Sequence, residues 1–257
     1  YRCPLVLSPR GMLSPNALKY SSIQKKLFWA AFRIQGLEKN LILHATSKGE
    51  VEDARRFGLL CPIALIPNGI DVPRHPKVPQ VRTTKTVLFL GRLHPVKVLD
   101  NLILAWAKAA KDQSDWVLQI VGPSERSYDK KLRKLCRNPS GPRVQFVSEL
   151  LGDEKIKAIQ RAEMLVLPSH SENFGMVIAE SLAQGTPVIA SHGTPWKSVE
   201  DEGCGWWCGN SVDELVAALS DAMSYSIDER ARMGVRGHQW MKDEFDWQVI
   251  ASKMNEL

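Results

Sequence analysis

Five short apolar runs recur through the second two-thirds of the sequence: VLFL (87–90), VLQIV (117–121), VQFV (144–147), MLVL (164–167) and VIA (188–190), spaced 20 to 30 residues apart. They are continuous rather than alternating, the pattern of parallel strands covered on both faces. Between them apolar residues fall at helical spacing, as at Leu99, Leu102, Ile103, Trp106 and Ala110. Strand and helix alternating in this way predict an α/β domain with a Rossmann-like, doubly wound parallel sheet. After Asp213 the pattern turns helical, with helices expected over 213–223 and 228–242 and a terminal one containing Trp247.

Residues 1–68 read as the rear part of a second α/β unit: a strand-like PLVLSP, a basic helix over 16–40, LILHAT, a short helix over 47–57, and PIALIP. Counted as two strands, these cannot make a stable sheet alone, so partner strands are expected before Tyr1 and the chain reads as a fragment. Asn68-Gly69 followed by Pro73, Pro76 and Pro79 breaks helices and marks the linker. The expected division is 1–68 for the incomplete N-terminal domain, 69–241 for the large domain and 242–257 for a terminal helix.

Charge divides along the same line. Residues 1–68 hold 10 Lys/Arg and 4 Asp/Glu, whereas 69–257 hold 24 of each, so the whole net charge of +6 lies in the first quarter. A neutral large domain without a basic stripe argues against nucleic acid. The basic helix carries Lys19, Lys25, Lys26, Arg33 and Lys39 interleaved with Leu27, Phe28, Trp29 and Phe32. It reads as an amphipathic helix on its own domain, with docking to anionic lipid as the functional alternative.

Five cysteines without a CxxC pair read as reduced thiols. No run approaches a membrane span, and no signal peptide opens the chain. GxxxxGK[ST], HExxH, GxSxG and Asp-x-Asp are all absent. Gly203, Gly205 and Gly209 mimic a dinucleotide fingerprint at the wrong spacing.

In an open parallel sheet, ligands bind beyond the carboxyl ends of the strands. The first end offers Gly91, Arg92 and Lys97: a close-approach glycine and two cations suited to a pyrophosphate. His94 lies between the cations, within reach of a phosphate. The second end offers Gly122. The fourth is PSHSENFGMVIAESLAQG (168–185), a polar loop and then a helix opening near Phe174. Asn173 is the expected N-cap, which would turn the N–H groups of Phe174, Gly175 and Met176 toward an anion or sugar oxygen. Glu172 and Glu180 stand on the order of 10 Å apart at helical rise, near the span from sugar ring to ribose in a nucleotide sugar.

IPNGID (66–71), GRLHPVK (91–97), ENFGMVIAE (172–180), GTPW (193–196) and GCGWW (203–207) together resemble the retaining glycosyltransferases of family 4, which have the GT-B fold. SPRGMLSPNALK and LHATSKGE resemble the family's bacterial polysaccharide-building members of O-antigen, lipopolysaccharide or capsule type. The resemblance implies a nucleotide-sugar donor, by family habit a UDP-sugar, and no metal or other cofactor. Catalytic roles would fall to Glu172, Arg92 and Lys97, the two cations holding the diphosphate. Gly91, Gly122, Asn173, Phe174, Gly175 and Met176 would line the donor, Glu180 would hold the ribose, and backbone from Val147 to Leu150 would read the base. The acceptor would be a lipid-linked saccharide, and the location cytoplasmic with peripheral attachment to the inner face of a bacterial plasma membrane.

Two departures stand out. The family usually has glycine after the motif lysine, and here Val98 stands there. Nothing in residues 1–68 matches the family's N-terminal glycine-rich loop or active-site histidine, so the chain as given is expected to bind donor and transfer poorly. The alternatives are a donor-binding domain without activity and a GT-B relative such as a nucleotide-sugar epimerase.

Overall fold

The computed structural model describes residues 5–18, 22–34, 40–78, 80–124, 126–136 and 141–256. The chain divides into two compact units, residues 1–69 with 172–174 and 248–257, and residues 70–171 with 175–247.

The first unit contains β1 (Leu5–Leu7), α1 (Pro15–Leu18), α2 (Ser22–Ile34), β2 (Leu41–Ala45), α3 (Lys48–Arg56) and β3 (Ile63–Leu65). The two-strand expectation is corrected: three parallel strands pair in the order β1-β2-β3, with Leu43 opposite Leu7 and Ile63. Three strands with one packed face suffice for a small core. That core is Leu13, Trp29, Leu41, Leu43, Ala54 and Leu59, with Phe57 tilted against Trp29 at 6.1 Å between ring centres. The helix expected over 16–40 is shorter, its long part being Ser22–Ile34. Lys19 and Lys39 lie outside the described residues, as do the side chains of Lys25, Lys26, Phe32 and Arg33. On α2, Trp29 is buried while Ile23, Leu27 and Phe28 are exposed.

Ser47 caps α3 by accepting from Glu50 N–H. The buried Glu50 carboxylate accepts from Gly11 N–H at 2.5 Å, Thr46 N–H at 2.7 Å and the Thr46 hydroxyl at 2.9 Å, knitting three segments together. His44 Nε2 donates to the Ile66 carbonyl, so Nδ1 is the acceptor for the Ser8 hydroxyl.

The second unit runs β4 (Lys85–Leu90), α4 (Leu99–Ala109), β5 (Trp116–Val121), α5 (Arg126–Leu135), β6 (Arg143–Val147), α6 (Gly152–Arg161), β7 (Met164–Leu167), α7 (Met176–Ala183), β8 (Val188–Ser191), α8 (Ser198–Asp201), β9 (Gly205–Cys208), α9 (Val212–Ser224) and α10 (Ile227–Glu244). A last helix, α11 (Trp247–Asn255), is grouped from Gln248 onward with the first unit. The five apolar runs are all strands of one parallel sheet in the order β6-β5-β4-β7-β8-β9, as doubly wound folds require.

Burial explains why the sequence signal was strongest in the middle. All of β7 and β8 and residues 87–90 of β4 are buried, whereas the edge strands β6 and β9 are not. Strand β9 was not anticipated, because GWWC lacks the aliphatic run that marked the others. Serine-glutamate capping boxes start both α9 and α10, at Ser211 with Glu214 and at Ser226 with Glu229.

Candidate functional site

Strand β4 is central: the chain winds outward through β5 and β6 on one side, then returns through β7, β8 and β9 on the other. The reversal falls between β4 and β7, and the crevice beyond the carboxyl ends of strands at such a reversal is where sheets of this kind hold ligands. The loops leaving those two strands carry Gly91 to Lys97 and Pro168 to Gly175, and they are tied where His170 N–H donates to the Val96 carbonyl at 2.8 Å.

The glycines at the strand ends have a steric cause. Gly91 N–H donates to Val121 C=O at 3.0 Å and Gly122 N–H to Val147 C=O at 3.2 Å, so the ladder extends past the strands proper. A Cβ on Gly122 would fall onto the Gly91 carbonyl. Lys97 folds back over this point, its Cε 3.9 Å from where a Cβ on Gly91 would stand. Arg92 is exposed and Lys97 half-buried, so β4 ends in two cations beside bare backbone.

Pro95–Lys97 form a single 3₁₀ turn. His94, expected near a phosphate, uses Nδ1 to accept from Val96 N–H at 3.2 Å and so caps that turn. Val98 then takes the left-handed conformation, φ 55° and ψ 35°, with its side chain 3% exposed, and α4 begins at the next residue. The turn that glycine would make freely is made by a β-branched residue.

Two expectations about the segment before α7 are corrected. The helix opens at Met176, not near Phe174, and its N-cap is Gly175 with φ 79°, not Asn173. Asn173 Nδ2 instead donates to the Thr46 hydroxyl at 3.0 Å, and Glu172, Asn173 and Phe174 are grouped with the first unit. Helical rise therefore applies only from Met176 to Glu180, and the 10 Å spacing estimated for the two glutamates loses its basis. The glycine cap brings no side-chain acceptor, and no acid stands in the first turn of α7, so the amides there meet no carboxylate of their own helix.

Glu180 is the one charge in α7, among the buried Ile178, Ala179, Ser181, Leu182 and Ala183. Lys155, from the first turn of α6, donates to its Oε1 at 2.6 Å and stands 2.6 Å from Oε2. Oε2 is buried and accepts no hydrogen bond among the described residues. Lys155 was missed by sequence reasoning, since pairing between α6 and α7 leaves no local pattern.

Val147 lines a cavity of about 390 Å³ beyond the ends of β5 and β6, together with Leu93, Gly122, Phe146 and Glu149. In its wall the Arg133 guanidinium lies 4.5 Å over the Phe146 ring and 2.9 Å from the Asp129 carboxylate. Leu150 is half-buried and does not line the cavity. Gly91, Arg92, Lys97, Gly122, Val147, Gly175, Met176 and Glu180 thus share the second unit. Elsewhere in that unit burial pushes the Cys204 and Cys208 thiols up to about 12, which disfavours the thiolate form.

The family model "Glycosyl transferases group 1" matches residues 73–240. Among curated relatives, glycogen synthase of Mycobacterium tuberculosis is 30% identical over 199 residues, which is 75% of this chain and 47% of that protein. A GDP-mannose-dependent alpha-(1-6)-phosphatidylinositol monomannoside mannosyltransferase of the same species is 28% identical over 225 residues, 79% of this chain and 57% of that one. The chain thus spans about half the length of the curated relatives it matches. Among solved structures, Anabaena HepE in complex with UDP aligns with a TM-score of 0.82 at 20% identity, over 98% of this chain and 71% of that one. The C-terminal domain of LpcC from Francisella tularensis aligns at 0.55 over 64% of this chain. Those likenesses are of fold, the GT-B fold. Residues 73–240 carry the family's pattern along most of the chain's length, and the protein belongs to the glycosyl transferases group 1 family.

Proposed function

We propose that the chain binds a nucleotide sugar, a UDP-sugar first among the candidates, in the crevice between β4 and β7, as the donor site of a retaining glycosyltransferase. The observation that carries this reading is Glu180: the one charge in an apolar helix that follows β7, with Lys155 2.6 Å from both oxygens and the buried Oε2 taking no hydrogen bond beyond that ion pair. A group of that kind is costly unless a donor completes it. The hydroxyls of a ribose are such donors.

In this reading the diphosphate lies over Gly91 and Gly122, where no side chain blocks the backbone, and Arg92 and Lys97 balance its charge. As the glycosidic bond to phosphate breaks, negative charge grows on the leaving diphosphate, and fixed cations stabilise that state more than the ground state. The base occupies the cavity lined by Val147 and Phe146, with backbone up to Leu150 at its edge. N–H groups of Gly175 and Met176 face the sugar or phosphate. Transfer proceeds with retention and without a bound metal, so it persists in EDTA. Residues 69–241 serve as the donor domain, and residues 1–68 with the terminal helix 242–257 belong to the acceptor side. The acceptor is a lipid-linked saccharide of a bacterial surface polysaccharide, met at the cytoplasmic face of the membrane.

Calorimetric titration with UDP and with GDP tests the core of this reading. We expect UDP to bind more tightly, and Arg92→Ala and Glu180→Ala each to weaken it at least tenfold, the loss of one charge-assisted contact. Unchanged binding in both variants would remove the assigned roles.

A further inference from the structure

We infer that Lys155 is a positioning residue for nucleoside recognition, holding the Glu180 carboxylate in the orientation that discriminates ribose from 2′-deoxyribose; this rests on Glu180 meeting the ribose as proposed above. Three features of the pair carry the inference.

The first is that a carboxylate on α7 turns freely about its last torsion unless something fixes its plane. Lys155 Nζ stands 2.6 Å from each oxygen, straddling the group, so rotation in either direction lengthens one of the two contacts. The second is that the ammonium does not saturate its partner. Its hydrogen bond goes to Oε1 and its contact with the buried Oε2, also 2.6 Å, is that of an ion pair, whereas an ionised carboxylate has about four lone-pair sites. Each oxygen thereby keeps a lone pair beyond its contact with the ammonium, matching the two adjacent O–H donors of a ribose. The third is partial burial: the side chains are 32% and 30% exposed, so water does not outcompete the contact as it does for the fully exposed pairs of this chain. Lys108 with Asp213, in the same unit, is such an exposed pair, at 59% and 91%.

A carboxylate already held in place loses no further freedom when the ribose arrives, and that saving is returned as affinity for the ligand able to use both oxygens. A 2′-deoxy nucleotide forfeits one of the two bonds and gains less from the fixed geometry. Lys155 therefore affects selectivity more than general affinity.

The test is calorimetry with UDP and 2′-deoxy-UDP, and with GDP and 2′-deoxy-GDP, on the full chain and on Lys155→Met, Lys155→Arg and Glu180→Ala. Circular dichroism and thermal melting check that each variant is folded. The expected result is that the unsubstituted chain prefers the ribonucleotide about tenfold. Lys155→Met should weaken the ribonucleotide about tenfold and the deoxynucleotide less than twofold, erasing the preference, and Lys155→Arg should restore most of it. An equal loss for both nucleotides in Lys155→Met would reduce the lysine to a structural role and overturn the inference, as would no change or tighter binding. Glu180→Ala separates the two levels: if the preference survives there, the ribose assignment itself fails. If it vanishes there yet persists in Lys155→Met, only the role given to the lysine fails.

Discussion

At Val98 three effects of similar size compete. Left-handed backbone strains a non-glycine residue by roughly 1–3 kcal/mol. Burying the valine side chain, here 3% exposed, contributes roughly 1.5–3 kcal/mol. Glycine would release the strain, give up the burial and add about 0.5–1 kcal/mol of chain entropy to be lost on folding. Alanine would give up most of the burial and keep the Cβ that causes the strain. We therefore expect Val98→Gly to be more stable than Val98→Ala by about 1 kcal/mol in urea unfolding, the reverse of their order inside a helix. Alanine ranking above glycine would mean that the backbone at 98 is not left-handed in solution. Gly122 is the simpler case: in Gly122→Ala the Cβ meets the Gly91 carbonyl, backbone against backbone, so nothing flexible can yield. A loss of about 3 kcal/mol in thermal unfolding, with weaker UDP binding, is expected. Both glycines at the strand ends could be read from the sequence as close-approach positions; which atoms approach could not, since the pairing of β4 with β5 sets that.

Among the elements, the segment between Ile70 and β4 is held to the sheet's amino-terminal edge by Lys77. Its backbone N–H donates to Gln184 C=O at 2.9 Å, and its ammonium donates to the carbonyl of Ala162. Burial depresses the Lys77 pKa from 10.5 to about 8, with Arg82 and Arg230 adding repulsion against the attraction of Glu163. A lysine depressed on folding binds fewer protons in the native than in the unfolded state between those two values. Its contribution to stability is thus unfavourable below pH 8 and recovers as pH rises from 8 to 10.5. Lys77→Met should flatten the stability profile across that window and gain on the order of 1 kcal/mol at pH 7. A profile identical to that of the unsubstituted chain would show that the lysine is not buried in solution.

Elements were legible in proportion to how completely the sheet covers them. The five aliphatic runs sit in the sheet at or next to their expected bounds, and the expected late helices appear as α9, α10 and α11. Strand β9 escaped notice because an edge strand can be built from tryptophans and a cysteine. The start of α7 was misjudged because a left-handed glycine can replace an asparagine cap, a choice decided by where Asn173 finds the Thr46 hydroxyl. The ion pair of Lys155 and Glu180 depends on two helices separated in sequence by β7, and no periodicity reports it.

Taken as a whole, the molecule keeps its positive charge at one end of the sequence. The first unit also exposes Ile23, Leu27 and Phe28 along α2, and Leu60 on the loop before β3. Apolar groups beside a basic excess are the chemistry that meets an anionic lipid surface. Among the described residues no helix is long and apolar enough to cross a membrane. Vesicles containing about a third anionic lipid should therefore co-sediment the protein at low salt and release most of it near 0.5 M salt, where screening is strong. Binding that ignores salt would count against electrostatic docking.

The pairing of β4 with β7 has a further consequence, in time rather than space. Val87 joins Met164 across α4, β5, α5, β6 and α6, the longest stretch of chain between neighbours in that sheet. Closing so long a loop is slow and yields no contact energy until it is complete. The crevice at the reversal therefore cannot exist in a half-folded chain, and a nucleotide that binds there recognises only molecules that have finished folding.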